Sequence, residues 1–170
     1  LAFVRDDFGN APLLGKGRTI EALERGLSAE LTLGEHGTVR VKGFLDRVDR
    51  DEAGDLQVID YKRSATPSLK DVQAGKDYQM WLYLYLVRAN FDGSAKGNFY
   101  SLKKQALGNK DPIMPEEVAD ALTHAEQNIA RALSASFPPQ ALEPKDGKCS
   151  DHCAFYQLCR LTTTHSDDEE

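Results

Sequence analysis

The chain has 170 residues, enough for one domain with its own core, and no apolar run approaches the roughly 20 residues that a membrane helix needs. Its net charge of −6 argues against a free-standing, non-specific DNA-binding domain, which carries a basic face. It does not exclude a metal-dependent nuclease, whose ion-holding carboxylates make a site acidic; without the terminal Asp167-Asp168-Glu169-Glu170 the charge is −2.

Residues 1–18 hold Asp, Gly, Asn and Pro with little periodicity and read as a loop. Between Ile20 and Leu33 two readings stand. Glu21 to Leu27 fits a helix, while Ala29 to Leu33 alternates like a strand. Gly34 and Gly37 then flank a hairpin turn. Thr38 to Asp49 alternates as a strand, with Val39, Val41 and Leu45 on one side and Phe44 and Val48 on the other. Asp51-Glu52-Ala53-Gly54-Asp55 is turn chemistry, and Leu56 to Lys62 follows as a second strand centred on Val58-Ile59. Pro67 and Ser68 open a helical region that becomes firm from Asp77 to Arg88. Lys96 to Leu102 reads as a further strand. Pro115-Glu116-Glu117 looks like the first turn of a helix, with acidic groups near the positive end of its dipole. The stripe Val118, Leu122, Ala125, Ile129, Ala132 and Leu133 predicts a core-facing helix that Pro138-Pro139 stop. The pattern is α+β, a hairpin core with mixed or antiparallel pairing and helices packed around it.

The chemistry concentrates in Gly43-Phe44-Leu45-Asp46-Arg47-Val48-Asp49 and Val58-Ile59-Asp60-Tyr61-Lys62. If the turn is 51–55, Arg50 faces Leu56 and Asp46 lies directly opposite Asp60, with Cβ atoms about 4.5–5.5 Å apart. Lys62 then shares the face of Asp60. A turn one residue shorter would send Asp60 to the other face. Two carboxylates this close repel unless a cation sits between them, and hard ions such as Mg²⁺ or Mn²⁺ take carboxylate oxygens. A lysine beside such an ion orients or helps deprotonate a water, or offsets charge building on a phosphate. The plainer alternative is a set of solvated surface charges; the buried character of Val58-Ile59 weighs against it. Gln79 and Tyr83, at i and i+4, share one face of a helix that is apolar nearly all round, so Gln79 is expected to be buried and to need partners. Those are either neighbouring backbone or the edge of the site.

Three ordered motifs, Gly43-x-x-Asp46-Arg47-x-Asp49, Ile59-Asp60-Tyr61-Lys62 and Gln79-x-x-x-Tyr83, together resemble the RecB-like branch of the PD-(D/E)XK nuclease superfamily, from about Glu24 to Arg160. The resemblance implies a restriction-endonuclease-like core and metal-dependent DNA cleavage. Asp46, Asp60 and the backbone carbonyl of Tyr61 would be the metal contacts, Lys62 the catalytic lysine, and Gln79 and Tyr83 helix-borne members of the site. It also implies DNA as substrate, a role in repair or recombination, a helicase domain or subunit in cis or in trans, and a cytoplasmic location.

Cys149, Cys153 and Cys159 lie in one short run, and three clustered thiols suggest a metal more than a disulfide framework. The run is similar to the C-terminal cysteines of AddB-type helicase–nucleases and of the exonucleases of CRISPR adaptation, where three such thiolates and a distant fourth hold a [4Fe–4S] cluster. Here the first gap is three residues where two is usual, and the chain has no fourth cysteine. Zinc held by the three cysteines with His152 is the second reading, and inert core residues the third. The domain is taken as residues 1–165, including the cysteine segment 149–160, with an acidic tail at 166–170. The chain begins at Leu1, so a piece of a longer protein is expected. The family's upstream histidine ligand would then precede it, since His36 falls in a turn and His124 reads as surface. Such a fragment would cleave DNA poorly by itself. Two rivals remain: a catalytically silent DNA-binding or scaffolding module of a repair complex, and a metal-stabilised interaction domain unrelated to nucleic acid.

Overall fold

The structure is a computed structural model, and it describes residues 17–34, 37–108 and 111–135. The chain divides into two compact units, Leu1–Asn128 and Ile129–Glu170. Of the second, the described part is the last turns of one helix and the residues that follow it. The first unit carries a five-stranded sheet in the order β1 (Thr19–Thr32), β2 (Thr38–Arg50), β3 (Leu56–Lys62), β4 (Ala95–Ser101), β5 (Ala106–Leu107). Neighbours are antiparallel except β3 and β4, which run parallel. A parallel pair needs a crossover. Here it is made by α1 (Leu69–Gln73) and α2 (Gln79–Asn90). After β5 come a 3₁₀ turn (Pro115–Val118) and α3 (Asp120–Leu133).

β1 is a strand along its whole length, so the helical reading of Glu21 to Leu27 is overturned. That segment pairs with β2, with a register shift between Ile20 and Ala22, and a long ladder satisfies backbone groups that a lone amphipathic turn would leave to water. The turn between β2 and β3 closes through Asp51 N–H to the Asp55 carbonyl at 3.0 Å, with the Asp51 side chain accepting from Ala53 and Asp55 N–H. The register is the one that this turn dictates: Arg50 opposite Leu56, Val48 opposite Val58, Arg47 opposite Ile59.

β3 is the middle strand, which explains its continuous burial: Leu56, Val58 and Ile59 are fully buried, and Gln57 between them is buried too. Phe44 and Val48 share a parity on β2 yet differ: Val48 is fully buried and Phe44 is 74% exposed, because only the later half of β2 is covered on both faces. α2 buries Met80, Trp81, Tyr83, Leu84, Leu86 and Val87, in keeping with its all-round apolar sequence. It also sits low on the sheet. A Cβ at Gly97 of β4 would collide with the Met80 sulfur, and one at Gly43 of β2 would come within 2.9 Å of Leu86 Cδ1. The stripe predicted for α3 is core-facing only at its start. Val118 and Ala121 are buried and Leu122 is half-buried, whereas Ala132 and Leu133 are exposed. Among the described residues no helix is long and apolar enough to cross a membrane.

Candidate active site

The antiparallel hairpin and the crossover helix meet at one end of β3. Asp46 comes one residue beyond the last paired step of β2 and β3, and there its side chain takes over from the backbone: Asp46 Oδ2 accepts the Tyr61 N–H at 2.8 Å. On the other side of β2 the residue opposite Asp46 is Glu24, which the flanking pairs Leu23–Arg47 and Arg25–Leu45 bracket. Glu24 has a φ of 45°, an uncommon conformation for a residue with a Cβ. The sheet is therefore irregular around Asp46.

Asp60 is 1% exposed and is held on both oxygens. Oδ1 accepts from Gln79 Nε2 at 2.7 Å, and Lys62 Nζ stands 2.8 Å from Oδ2. The second contact has the distance of an ion pair without the direction of a hydrogen bond, so this buried oxygen keeps an unfilled acceptor position. Burial pushes the Asp60 carboxyl above its ordinary range. The ammonium of Lys62 pulls it back, and the Asp46 and Asp77 carboxylates push it up again.

Gln79, the first residue of α2, ties the group together. Its amide nitrogen donates to Asp60 and to the Tyr83 hydroxyl at 2.9 Å, while its Oε1 accepts from Lys62 Nζ. A glutamine is suited to this because it offers donors and an acceptor at once. Of the two partner sets open for Gln79, the structure has the side chains of the site. Tyr83 is 8% exposed, and burial raises its phenol, as do Asp60 and Asp46. Thus Asp46, Asp60, Tyr61, Lys62, Gln79 and Tyr83 form one neighbourhood.

Sequence reasoning gave no role to three further residues, although Arg47 and Asp49 stand in the first motif. Asp77, just ahead of the N-cap residue Tyr78, accepts the Gln79 N–H at 2.9 Å; an acid two residues before an apolar helix was the available signal. Arg47 and Asp49 form a buried bidentate ion pair at 2.6 and 2.7 Å, and Arg47 also reaches the Tyr61 hydroxyl at 3.4 Å. Their i, i+2 spacing on one strand face was visible in Asp46-Arg47-Val48-Asp49. His124 is half-buried over Gly75, so it is not the surface residue expected, and nothing places it with the carboxylates. A cavity of about 450 Å³ lined by Trp81, Leu84, Tyr85, Arg88 and Leu122 contains none of these groups. His36, His152 and the three cysteines lie outside the described residues. Among the described residues no cluster of three or more His, Cys, Asp or Glu side chains is arranged for a metal.

The chain matches the PD-(D/E)XK nuclease superfamily over residues 5–160. It is similar to an ATP-dependent helicase/deoxyribonuclease of Natranaerobius thermophilus, with 29% identity over 142 residues. That match takes in 78% of this chain and 12% of the relative, so the chain spans a small part of the relative's length. A solved structure, the crystal structure of SSO0001, aligns with a TM-score of 0.44 and 22% identity over 69% of this chain and 53% of that one.

Proposed function

This chain belongs to the PD-(D/E)XK nuclease superfamily, with the restriction-endonuclease-like α+β fold of that family, and on that premise we propose that it hydrolyses DNA phosphodiesters with the help of a divalent cation. The observation that carries the proposal is Asp60: a buried carboxylate with an unfilled acceptor position, opposite Asp46 and beside a lysine. The donors are hard oxygens, which suits Mg²⁺ or Mn²⁺. Mg²⁺ in particular binds through one or two carboxylates and leaves its other positions to water and substrate phosphate. Asp46 and Asp60, with the Tyr61 carbonyl, are the residues that would hold it. When bound, such an ion polarises a phosphoryl oxygen and lowers the pKa of water.

The chain's own residues supply the rest. Lys62 keeps its ammonium group at the site through Gln79 and Asp60, where it offsets negative charge that builds on the phosphoryl oxygens. Gln79 orients both Lys62 and Asp60 and is a positioning residue. Tyr83 holds the amide of Gln79 from below. The name of the relative supports a helicase domain or subunit as partner, with repair or recombination as the setting. Three thiolates are one fewer than a [4Fe–4S] cluster takes, so no step is derived through Cys149, Cys153 and Cys159.

The test is cleavage of linear single- and double-stranded DNA in Mg²⁺ and in Mn²⁺ by the intact protein and by Asp60→Asn and Lys62→Ala. Each substitution should lower the rate by about 100-fold or more while circular dichroism stays native. Folded variants that cut at near wild-type rates would remove the assignment. DNA binding without cleavage by the wild type would hand the chain to the silent-module reading.

A further inference from the structure

Immediately beyond Lys62 the parallel pair β3 and β4 continues as an irregular ladder. Leu102 N–H donates to the Lys62 carbonyl at 2.9 Å and Lys103 N–H to the Arg63 carbonyl at 3.0 Å. The turn from β4 to β5 is pinned further by Lys104 N–H to Ser101 Oγ at 3.2 Å and Ser101 Oγ to the Ser64 carbonyl at 2.6 Å. Gln105 reverses the chain with a φ of 51°. This backbone holds three cations, Arg63, Lys103 and Lys104, on adjacent segments, and all three are exposed. Among the described residues none of the three has a carboxylate partner.

Three cations on one fixed turn, without a carboxylate partner among the described residues, stand out in a chain of net charge −6. Their position is also informative. They stand at the carboxyl ends of the two parallel strands, where ligands of open α/β sheets bind, and the last residue of β3 is Lys62 itself. A polyanion whose scissile phosphate lay at Asp60 and Lys62 would pass its neighbouring phosphates over this turn.

We propose that Arg63, Lys103 and Lys104 form a phosphate-binding ledge that grips the nucleic-acid backbone beside the scissile bond. The proposal rests on the nuclease reading of the same site. The ledge reads charge and not sequence, since phosphate contacts set register on the strand and carry no base information.

Salt dependence of binding measures it. Each phosphate contact contributes about 0.9 to the slope of log affinity against log salt for duplex DNA and about 0.7 for single strands. Binding of a labelled oligonucleotide is followed in EDTA, where no cleavage interferes, for the intact protein and for the triple variant R63A/K103A/K104A. The slope should become shallower by about 2 to 3. Raising salt from 50 to 200 mM should then cost the wild type about 20- to 40-fold more affinity than it costs the variant. The variant Lys103→Arg with Lys104→Arg should keep the wild-type slope, which a merely structural role for the turn would not require. A wild type that cuts DNA, together with a folded triple variant of unchanged slope, would overturn the ledge and leave the nuclease reading standing. A wild type that neither binds nor cuts DNA would overturn both.

Discussion

Replacing Gln79 by Ala removes one side chain and disturbs three partners: the buried Asp60 carboxylate, the Lys62 ammonium and the Tyr83 hydroxyl. The losses are unequal. Lys62 has a side chain 24% exposed and recovers water in place of the amide oxygen. Tyr83 is a neutral group with a modest bond. Asp60 Oδ1 lies in a residue 1% exposed and loses a hydrogen bond to a charged group, which is worth about 1.5–3 kcal/mol. The expected destabilisation is therefore about 2 kcal/mol, or a fall of roughly 4–8 °C in Tm for a chain of this size. Cleavage should fall as well, because neither Lys62 nor Asp60 keeps a fixed direction. Gln79→Glu separates geometry from charge. It places another carboxylate beside Asp60, so it should destabilise the protein in EDTA and gain more than the wild type on adding Mn²⁺. The assays are thermal unfolding with and without Mn²⁺ and single-turnover cleavage. A Gln79→Ala protein within about 0.5 kcal/mol of wild type and cutting DNA normally would refute the positioning role, since that is the range of an ordinary surface substitution.

Arg47→Ala leaves Asp49, 1% exposed, as an unpaired buried charge and should cost about 3–5 kcal/mol in urea unfolding. Arg47→Met combined with Asp49→Leu should recover most of that; a double variant as unstable as the single one would count against the ion-pair explanation. Asp60 also makes divalent-ion binding sensitive to pH. Its folded pKa lies above the ordinary 3.8, so without an ion its contribution to stability is complete below 3.8 and is lost as pH rises through the folded value. An ion that takes the ionised form removes that loss, so Mn²⁺ should raise Tm more well above the folded value than near 3.8, and equal rises at the two would refute the link.

The hairpin was the most legible part of the sequence. Turn residues at Asp51 and Gly54 and a two-residue alternation leave the register to the length of the turn, and the pairs from Arg50–Leu56 to Arg47–Ile59 are those of a turn at 51–55. Strand β1 was less legible because Glu21 to Leu27 satisfies a helical pattern locally; only β2 as a partner decides against it. The parallel pairing of β4 with β3 was hidden for a related reason. A seven-residue strand carries no mark of its direction, which the length of the intervening helices sets. The α3 stripe misled because periodicity reports an apolar face without saying what covers it. At the site, Gln79 and Tyr83 were readable as one helix face, but the reach from Gln79 to Lys62 depends on how low α2 sits. That height is written in Gly43 and Gly97, two small residues on different strands whose meaning appears only once the helix lies over them.

The charges around Asp60 explain why these pieces belong together. Burial leaves Asp60 reluctant to ionise, and the Asp46 and Asp77 carboxylates offset part of what Lys62 gives back. A fold selected for stability alone would place Asn at one of these positions, since a buried carboxylate short of positive charge costs free energy. Here the deficit is held open by well-packed surroundings: Met80, Leu84 and Phe99 are fully buried, and the glycines let the helix close over the strands. Lys62 is also committed in two directions, to Gln79 and to Asp60. What would relieve the site is a further positive charge that arrives with water and phosphate, and it would be needed most when an anionic substrate adds to the excess. The same excess gives the exposed cations of Arg63, Lys103 and Lys104 their place. Set just outside the carboxylates, they draw the nucleic-acid backbone toward a centre whose own negative charge would otherwise turn it away.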